Sequence, residues 1–437
     1  MEIDKTTLAD LSVFTHDEEF SIFHKLDFCR TLGGKDKLRQ NCNHSLSDIS
    51  EIRAIQQTIQ LIASRKASWP VKVSNGSMMV IDKFYESVID HIPSNVSAAA
   101  AYSYKLLHGP DFSLVKYSTE HCFDFINAMQ SIITMFEGEK PLPLQKLLHR
   151  AATIINKPQF EIINEKKKYE SLTMPEMLHL ANFILYNYKQ NIFELMDIYY
   201  QLDAWYAMAI AVEKFELCFP VFIENEQPTI QATGLYHILL SQPVAYNITL
   251  DPENNFLFLT GANMAGKSTF IKSVGAAVFL AHLGMGVPAK QMTLTVFNGM
   301  LSNINVVDNI SKGESYFYNE VQRIKNTILK INDGRKWLIL IDELFKGTNV
   351  QDAMKCSTTV IEGLIKIKNS LFILSTHLYE IAEELKVYPN IAFKYFETLV
   401  EEEQLKFNYQ LKDGISNDRL GYLILKREKV LELLDAL

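Results

Sequence analysis

The stretch FLFLTGANMAGKST, residues 256–269, decides the fold. Its first four residues are apolar and predict a buried strand, and the apolar sequence that follows it predicts a helix. Between the two, the chain fits the pattern G-x-x-x-x-G-K-[ST] at Gly261, Gly266, Lys267 and Ser268. In this strand–loop–helix context, backbone N–H groups and the helix N-terminus surround a phosphate group. The stretch therefore predicts nucleotide binding.

Two side chains of this loop have predicted roles of their own. A lysine at this position reaches the β- and γ-phosphates of a nucleotide, and the hydroxyl residue after it ligates Mg²⁺. We therefore expect Lys267 to contact phosphate and Ser268 to hold Mg²⁺. A GTPase is disfavoured because the guanine-reading Asn-Lys-x-Asp pattern is absent. Residues 156–159 read NKPQ, which lacks the aspartate, and they lie in the other half of the chain.

A second motif supplies carboxylates. The run WLILIDELFKGT, residues 337–348, places Asp342 and Glu343 at the end of an apolar strand, about 75 residues after the loop. In phosphate-loop ATPases the first acid holds Mg²⁺ and the second polarises the attacking water. A small-molecule kinase stays open as an alternative, although it has no need of the paired acids. His377 follows another apolar run, residues 371–374, and is predicted to contact the γ-phosphate; the alternative is an ordinary loop histidine.

Composition limits the partners and the location. The 437 residues are enough for two or three domains. Five scattered cysteines without a C-x-x-C pair disfavour a disulfide framework or a zinc site and favour the reducing cytoplasm. The amino terminus does not resemble a signal peptide and no run suits a membrane span, so we expect no membrane contact. The net charge of −8 argues against a protein that holds nucleic acid across its whole surface.

The residue pattern divides the chain in two. Residues 1–218 show helical spacing of apolar residues and predict a helical domain. Met174–Phe219 has no internal glycine, and no proline after Pro175, and predicts one helix of more than forty residues that connects domains or acts as a lever. A boundary falls at residues 219–231, where two prolines stand and the period becomes strand-like. Residues 219–437 alternate strand and helix, as in a doubly wound α/β domain.

Six motifs in order resemble the ATPase domain of the MutS family, whose members act in DNA mismatch repair. The family's G-P-N-M-G-G-K-S-T corresponds to GANMAGKST, and its D-E-x-x-x-G-T to DELFKGT. The other four segments read FIKSVGAAVFLAHLGMGVPA, DNISKGESYFYNE, THLYE and DGISNDRLG in this chain. The helical half resembles the core domain of the family more loosely. The resemblance implies an ATPase domain of the ABC-transporter-like class, preceded by a helical core or lever domain.

The resemblance also implies roles for single residues, with ATP and Mg²⁺ as the bound groups. Asp342 corresponds to the metal acid, Glu343 to the catalytic base and His377 to a γ-phosphate sensor. The residues implied to cradle the phosphates and Mg²⁺ are Gly261, Asn263, Gly266, Lys267, Ser268 and Thr269.

Two further implications concern the other subunit and the base. Ser315 corresponds to a residue that reaches the γ-phosphate bound in the other subunit, which implies a homodimer with its active sites at the interface. Val244, Ala245 and Tyr409 align with positions that flank adenine, and Tyr409 stands where the family has a histidine.

Several departures from the family bear on the function. From the resemblance we expect the chain to begin at the core domain, without the family's mismatch-reading wedge domain or its connector, and we expect residues 422–437 to be a short tail in place of its dimerisation element. We expect an ATP hydrolase that drives conformational switching on DNA, with weak duplex contact and without mismatch reading. Repair or recombination proteins are further expected partners.

Two alternatives to this function stay open. The first is an ATP-gated dimeric scaffold that binds proteins rather than DNA, and the negative net charge favours it. The second is a transporter-type ATPase subunit, which Asn263 and Met264 in the loop disfavour.

Overall fold

A computed structural model describes residues 1–94, 97–305, 316–401, 404–416 and 430–435. Ser315, with Asp308 and Gly313 of the same motif, lies outside these ranges. The chain forms two compact units. The first contains Met1–Lys25, His44–Ile52 and Lys214–Leu437, and the second, the helical unit, contains Leu26–Asn43 and Arg53–Glu213.

Helices and strands are numbered in chain order. The α-helices are α1 (Lys5–Asp10), α2 (Ile22–Leu26), α3 (Leu32–Asn43), α4 (Ile49–Arg65), α5 (Asn75–Glu86), α6 (Ala98–Leu107), α7 (Gly109–Met135), α8 (Leu142–Ile155), α9 (Glu161–Lys166), α10 (Met174–Asn182), α11 (Lys189–Lys214), α12 (Lys267–His282), α13 (Tyr316–Ile331), α14 (Val350–Leu364), α15 (Ile381–Leu385) and α16 (Val430–Asp435). The strands are β1 (Glu2–Ile3), β2 (Val221–Ile223), β3 (Ile230–Leu235), β4 (Tyr246–Leu250), β5 (Phe256–Thr260), β6 (Gln291–Thr295), β7 (Gly299–Asn303), β8 (Trp337–Asp342), β9 (Ser370–Ser375), β10 (Ile391–Glu401) and β11 (Gln404–Asp413).

The prediction of a single helix over Met174–Phe219 is wrong, because the structure interrupts this stretch. After α10 the chain makes a π-helical turn at Phe183–Asn187 and leaves helical geometry at Tyr188 before α11 begins. The wider turn lets the rings of Phe183 and Tyr188 stack at 4.8 Å and pack edge-on against Phe160. The Tyr188 hydroxyl also donates a hydrogen bond to a backbone carbonyl of α8 (2.8 Å). Aromatic packing therefore ends the helical run that the sequence period would continue.

A seven-stranded sheet in the order β1-β7-β8-β9-β5-β10-β11 forms the centre of the first unit. Neighbouring strands are parallel except β10 and β11, which are antiparallel. Every residue of β5, β8 and β9 is buried, as expected of central parallel strands. The strands predicted at residues 256–259, 338–341 and 371–374 are confirmed, and this unit is an α/β domain.

The parallel arrangement positions the predicted site. The carboxyl ends of parallel strands meet at one edge of a sheet. β5, β8 and β9 end at Thr260, Asp342 and Ser375. The phosphate loop, the acid pair and the loop of His377 therefore all leave the sheet at the same edge. A smaller sheet in the order β2-β6-β3-β4 belongs to the same unit.

The amino-terminal residues pack on the seven-stranded sheet, with β1 parallel to β7. At the end of α1, the buried carboxylate of Asp10 accepts a hydrogen bond from the Ser302 hydroxyl (2.5 Å). It also accepts the backbone N–H groups of Ile304 and Asn305 (3.1 Å each). Met1–Lys25 therefore belongs to the same compact unit as Lys214–Leu437.

Candidate nucleotide site

Two glycines shape the loop between β5 and α12. Gly261 has φ 141° and Gly266 has φ 109°, and both values lie in a region that residues with a side chain rarely adopt. A Cβ atom at Gly261 would lie 3.1 Å from the Phe396 carbonyl oxygen. A Cβ atom at Gly266 would lie 3.3 Å from the Tyr409 ring. The positive φ angles and these close contacts explain why both positions of the predicted pattern are glycine.

The Lys267 side chain is folded back into the loop. It is only 5% exposed, and its Nζ donates hydrogen bonds to the carbonyl oxygens of Gly261 (2.8 Å) and Ala262 (3.1 Å). Burial lowers the pKa of Lys267, while the carboxylates of Glu343 and Asp342 act to raise it. The ammonium group therefore lies inside the loop, at a point where phosphate oxygens could replace the two carbonyls as acceptors.

Asp342 is held by two hydroxyls. The Ser268 Oγ donates a hydrogen bond to one of its carboxylate oxygens, and the Ser375 Oγ donates one to the other. Mg²⁺ prefers oxygen ligands and is usually bound by one or two carboxylates together with substrate phosphates and waters. The hydroxyl of Ser268 and the carboxylate of Asp342 are in contact and are of the right chemical type, so these residues fit a Mg²⁺ ion.

Glu343, the second acid, is largely buried and paired with cations. Its Oε2 lies 3.3 Å from the Lys346 Nζ and 3.6 Å from the His377 Nδ1. The hydrogen bond from His377 lowers the pKa of Glu343 to about 2, helped by the charges of Lys346 and Lys267 and opposed by burial. Its backbone has φ 64°, and its N–H donates to the Ser375 carbonyl (2.9 Å). The carboxylate is therefore ionised at neutral pH.

These groups border one pocket of about 420 Å³. Of the predicted residues, its lining contains Asn263, Gly266, Lys267, Ser268, Thr269, Glu343, Val244 and Tyr409. Gly261 and Asp342 are linked to it through their hydrogen bonds to Lys267 and Ser268. His377 reaches it through Glu343. Residues predicted from five separate stretches of the chain are thus brought together.

Two aromatic side chains, Tyr246 and Tyr409, line the pocket. The buried Tyr246 packs edge-on against Phe270 and Phe396, with ring centroids 5.3 and 5.7 Å apart. Tyr409 is 40% exposed and stacks against Phe407 at 6.3 Å. Aromatic faces of this kind can hold a flat ring by stacking.

Comparison with known proteins agrees with this geometry. The family model for MutS domain V matches residues 257–431. The chain is 27% identical over 291 residues to the DNA mismatch repair protein MutS of Thermotoga maritima, an alignment that covers 63% of this chain and 36% of the relative. It is 28% identical over 285 residues to MutS of Pseudothermotoga lettingae, covering 62% and 35%. The chain is similar to the MutS family, and its match to MutS domain V covers residues 257–431. It spans about a third of the length of these curated relatives.

A third relative extends the same pattern within the MutS family. The MutS protein of Carboxydothermus hydrogenoformans is 28% identical over 296 residues, which cover 63% of this chain and 34% of the relative. The resemblance that the sequence motifs carry is therefore confirmed. The α/β fold of residues 219–437 is the fold expected of the MutS ATPase domain.

Sequence reasoning missed several residues of this candidate site. Ser375 orients Asp342, and Gln242 and Tyr246 line the pocket. Ser375 stands at the end of an apolar run, a signal that was present, but its partnership with Asp342 depends on the register of β8 and β9, which pairs the two residues. Gln242 and Tyr246 lie in or beside the connection from β3 to β4 and carry no motif.

Elsewhere in the described ranges, one further group could hold a metal ion, formed by Asp90, His108 and Asp111 of the helical unit. His108 pairs with the Asp90 carboxylate (2.7 Å), and Asp111 accepts the Asp90 N–H (2.8 Å), so each has an ordinary partner. The five cysteines are free thiols. Among the helices that the structure describes, none is long and apolar enough to cross a membrane.

Proposed function

We propose that this MutS-like chain binds ATP with Mg²⁺ in the 420 Å³ pocket and hydrolyses it. One observation carries the proposal. Lys267, the hydrogen-bonded pair Ser268 and Asp342, and the ionised Glu343 meet at one edge of a parallel sheet. Phosphate transfer relies on positioning and on charge stabilisation, and these are the groups that it requires.

Each side chain has a distinct task in this proposal. The backbone N–H groups of residues 263–269 and the Lys267 ammonium bind the phosphates. Glu343 accepts a hydrogen bond from the attacking water and orients it. A carboxylate with a pKa of about 2 is a weak base, so it aligns and polarises the water rather than keeping its proton. His377 lies next to Glu343, and it would contact the γ-phosphate.

Ser268 and Asp342 would hold Mg²⁺, with Ser375 fixing the second oxygen of the carboxylate. When bound, the ion would supply positive charge that neutralises the charge developing on the phosphates. On the base side, the exposed ring of Tyr409 and the side chain of Val244 would flank adenine, and Tyr246 would close that end of the pocket.

The resemblance to the MutS family also suggests how the chain assembles and acts on DNA. We infer a homodimer in which Ser315 of each subunit reaches the γ-phosphate of the other, and a helical core or lever domain that transmits ATP-driven changes to DNA. The domain division at residue 218 belongs to the same proposal. Its support is the match to MutS relatives named as DNA mismatch repair proteins.

A second candidate, an ATP-gated scaffold for protein partners, is favoured by the net charge of −8. Binding to a phosphate backbone by an acidic protein needs a local basic patch or is weak. The two candidates share the ATP site and differ in whether the chain binds duplex DNA at physiological salt.

The test of the shared part is a binding and turnover measurement on the purified 437-residue chain. We expect saturable ATP binding that needs Mg²⁺ for full affinity, and slow release of phosphate. Chelation of Mg²⁺ should abolish the release, and GTP should compete poorly. A chain that is folded and binds no ATP would overturn the proposal.

A further inference from the structure

The loop that follows Glu343 is held by a carboxylate from another helix. Glu320 of α13 is 4% exposed and accepts the backbone N–H groups of Lys346 (3.3 Å) and Gly347 (3.4 Å). Burial raises the pKa of Glu320, and these N–H groups and that of Phe345 oppose the rise. Two consecutive backbone N–H groups thus donate hydrogen bonds to one buried carboxylate.

The backbone of this loop has an unusual shape that the carboxylate explains. Glu343 has φ 64° and Phe345 has φ 59°, and neither is glycine. Left-handed residues within a turn aim successive N–H groups into one concavity, and such concavities bind anions. Here the anion belongs to the protein, because the Glu320 carboxylate accepts the N–H groups of the third and fourth residues after Glu343. Without it, several N–H groups would lack an acceptor and the left-handed conformation would lose its support.

The helix that carries Glu320 is itself fixed in place. Arg323, three residues later, donates hydrogen bonds to the Ser302 carbonyl at the end of β7 (2.6 Å) and to the Asp10 carboxylate (3.3 Å). On the same side of α13, the Phe317 ring lies 5.7 Å from the Phe345 ring. The helix is therefore joined both to the sheet and to the loop after Glu343.

We propose that Glu320 is a positioning residue for the hydrolysis step, which orients Glu343 by fixing the backbone of residues 345–347. The inference rests on the proposed ATPase function and adds a residue to it. Glu320 does not line the pocket. Its removal should therefore misplace Glu343 and slow hydrolysis while leaving the phosphate loop and ATP affinity almost unchanged.

The experiment compares Glu320→Ala and Glu320→Gln with wild type, using single-turnover hydrolysis at saturating ATP and ATP affinity by titration. Glu320→Ala should slow hydrolysis by at least about tenfold, with an affinity change below about threefold. Glu320→Gln keeps one acceptor oxygen and the shape of the side chain, so its hydrolysis rate should lie between those of wild type and Glu320→Ala. The matched control is Glu362→Ala, which removes a carboxylate from α14 that accepts the Tyr388 hydroxyl (2.9 Å) and should hydrolyse at the wild-type rate.

A double-mutant cycle separates positioning from a general structural effect. If Glu320 acts through Glu343, Glu320→Ala should cause less than about a twofold further loss in a Glu343→Gln background. If the double variant instead lost the product of the two single losses in rate, the inference would be overturned. A wild-type rate of hydrolysis in Glu320→Ala would overturn it as well. Should Glu320→Ala fail to fold, Glu320→Gln decides: a slower rate at unchanged melting temperature supports the inference, and a wild-type rate refutes it. Absence of hydrolysis in the wild type would instead refute the proposed function, before any variant is compared.

Discussion

The Ser268 hydroxyl donates a hydrogen bond to the carboxylate of Asp342, although the two residues are 74 positions apart in the chain. Ser268 lies in the first turn of α12, which follows β5, and Asp342 ends β8, with β9 lying between the two strands. Ser375, at the end of β9, holds the other oxygen of the same carboxylate. Three strand ends thus converge on one acid, and the predicted Mg²⁺ site depends on all three.

The first prediction separates binding from turnover. Lys267→Ala should abolish ATP binding, because it removes the buried ammonium from the phosphate loop, whereas Glu343→Gln should bind ATP normally and stop steady-state turnover, leaving only a low residual single-turnover rate. Equilibrium titration and phosphate release measure the two properties. Lys272→Ala, a change on the same helix outside the pocket lining, serves as the control. Equal loss of affinity in both variants would show that the roles are assigned wrongly.

The second prediction concerns the metal. Asp342→Asn keeps the shape but removes the charge, so the gain in ATP affinity on adding Mg²⁺ should fall by at least about tenfold, while affinity without Mg²⁺ stays the same. Titration of a fluorescent ATP analogue with and without Mg²⁺ measures this. Asp352→Asn, at the start of α14, is the matched control. A full Mg²⁺ effect in Asp342→Asn would place the ion elsewhere.

The third prediction follows from the pKa of Glu343, which is lowered from 4.5 to about 2, chiefly by the hydrogen bond from His377. Because the folded-state pKa is the lower one, the ionised carboxylate stabilises the fold above pH 4.5. That stabilisation is lost as the pH falls toward 2. The free energy of unfolding of wild type relative to Glu343→Gln should therefore stay flat from pH 7 to pH 5 and decrease below pH 4.5.

Denaturant unfolding at several pH values tests this difference. His377→Gln should reduce the decrease below pH 4.5, because it removes the main cause of the lowered pKa. A difference that already changes between pH 7 and pH 5 would contradict the direction of the shift.

The fourth prediction tests the dimer. Mixing Lys267→Ala subunits with Ser315→Ala subunits should produce heterodimers in which one composite site carries both changes and the other carries neither. Turnover should return to about half the wild-type rate per dimer if the sites are independent. A mixture that forms heterodimers and stays inactive would rule out the action of Ser315 in the other subunit.

The fifth prediction concerns DNA. Phosphate contacts position a protein without reading sequence, and they weaken steeply as salt rises. With a net charge of −8, the 437-residue chain should bind duplex DNA weakly. Its preference for a G·T mismatch over the matched duplex should be below about threefold, less than one base-specific contact provides. Fluorescence anisotropy at two salt concentrations measures the affinity for both duplexes. A tenfold preference for the mismatch at physiological salt would reveal a mismatch reader in this chain.

Features that depend on neighbouring residues were predictable from the sequence. Apolar runs identified β5, β8 and β9, and Gly261 and Gly266 identified the phosphate loop, because strand burial and left-handed backbone are local requirements. The strand-end positions of Asp342 and Glu343 followed from the same runs. The α/β fold and the main site residues therefore needed no tertiary information.

The sequence by itself determined which residues could bind a nucleotide, and only the tertiary structure decided how they are held. The pairing of Ser375 with Asp342, the Glu320 carboxylate under the loop after Glu343 and the packing of Asp10 against the end of β7 all join distant parts of the chain. Such contacts depend on strand order and register, which a local period does not encode. The break at Tyr188 has the same origin, since aromatic packing against other helices overrides the local preference for a continuous helix.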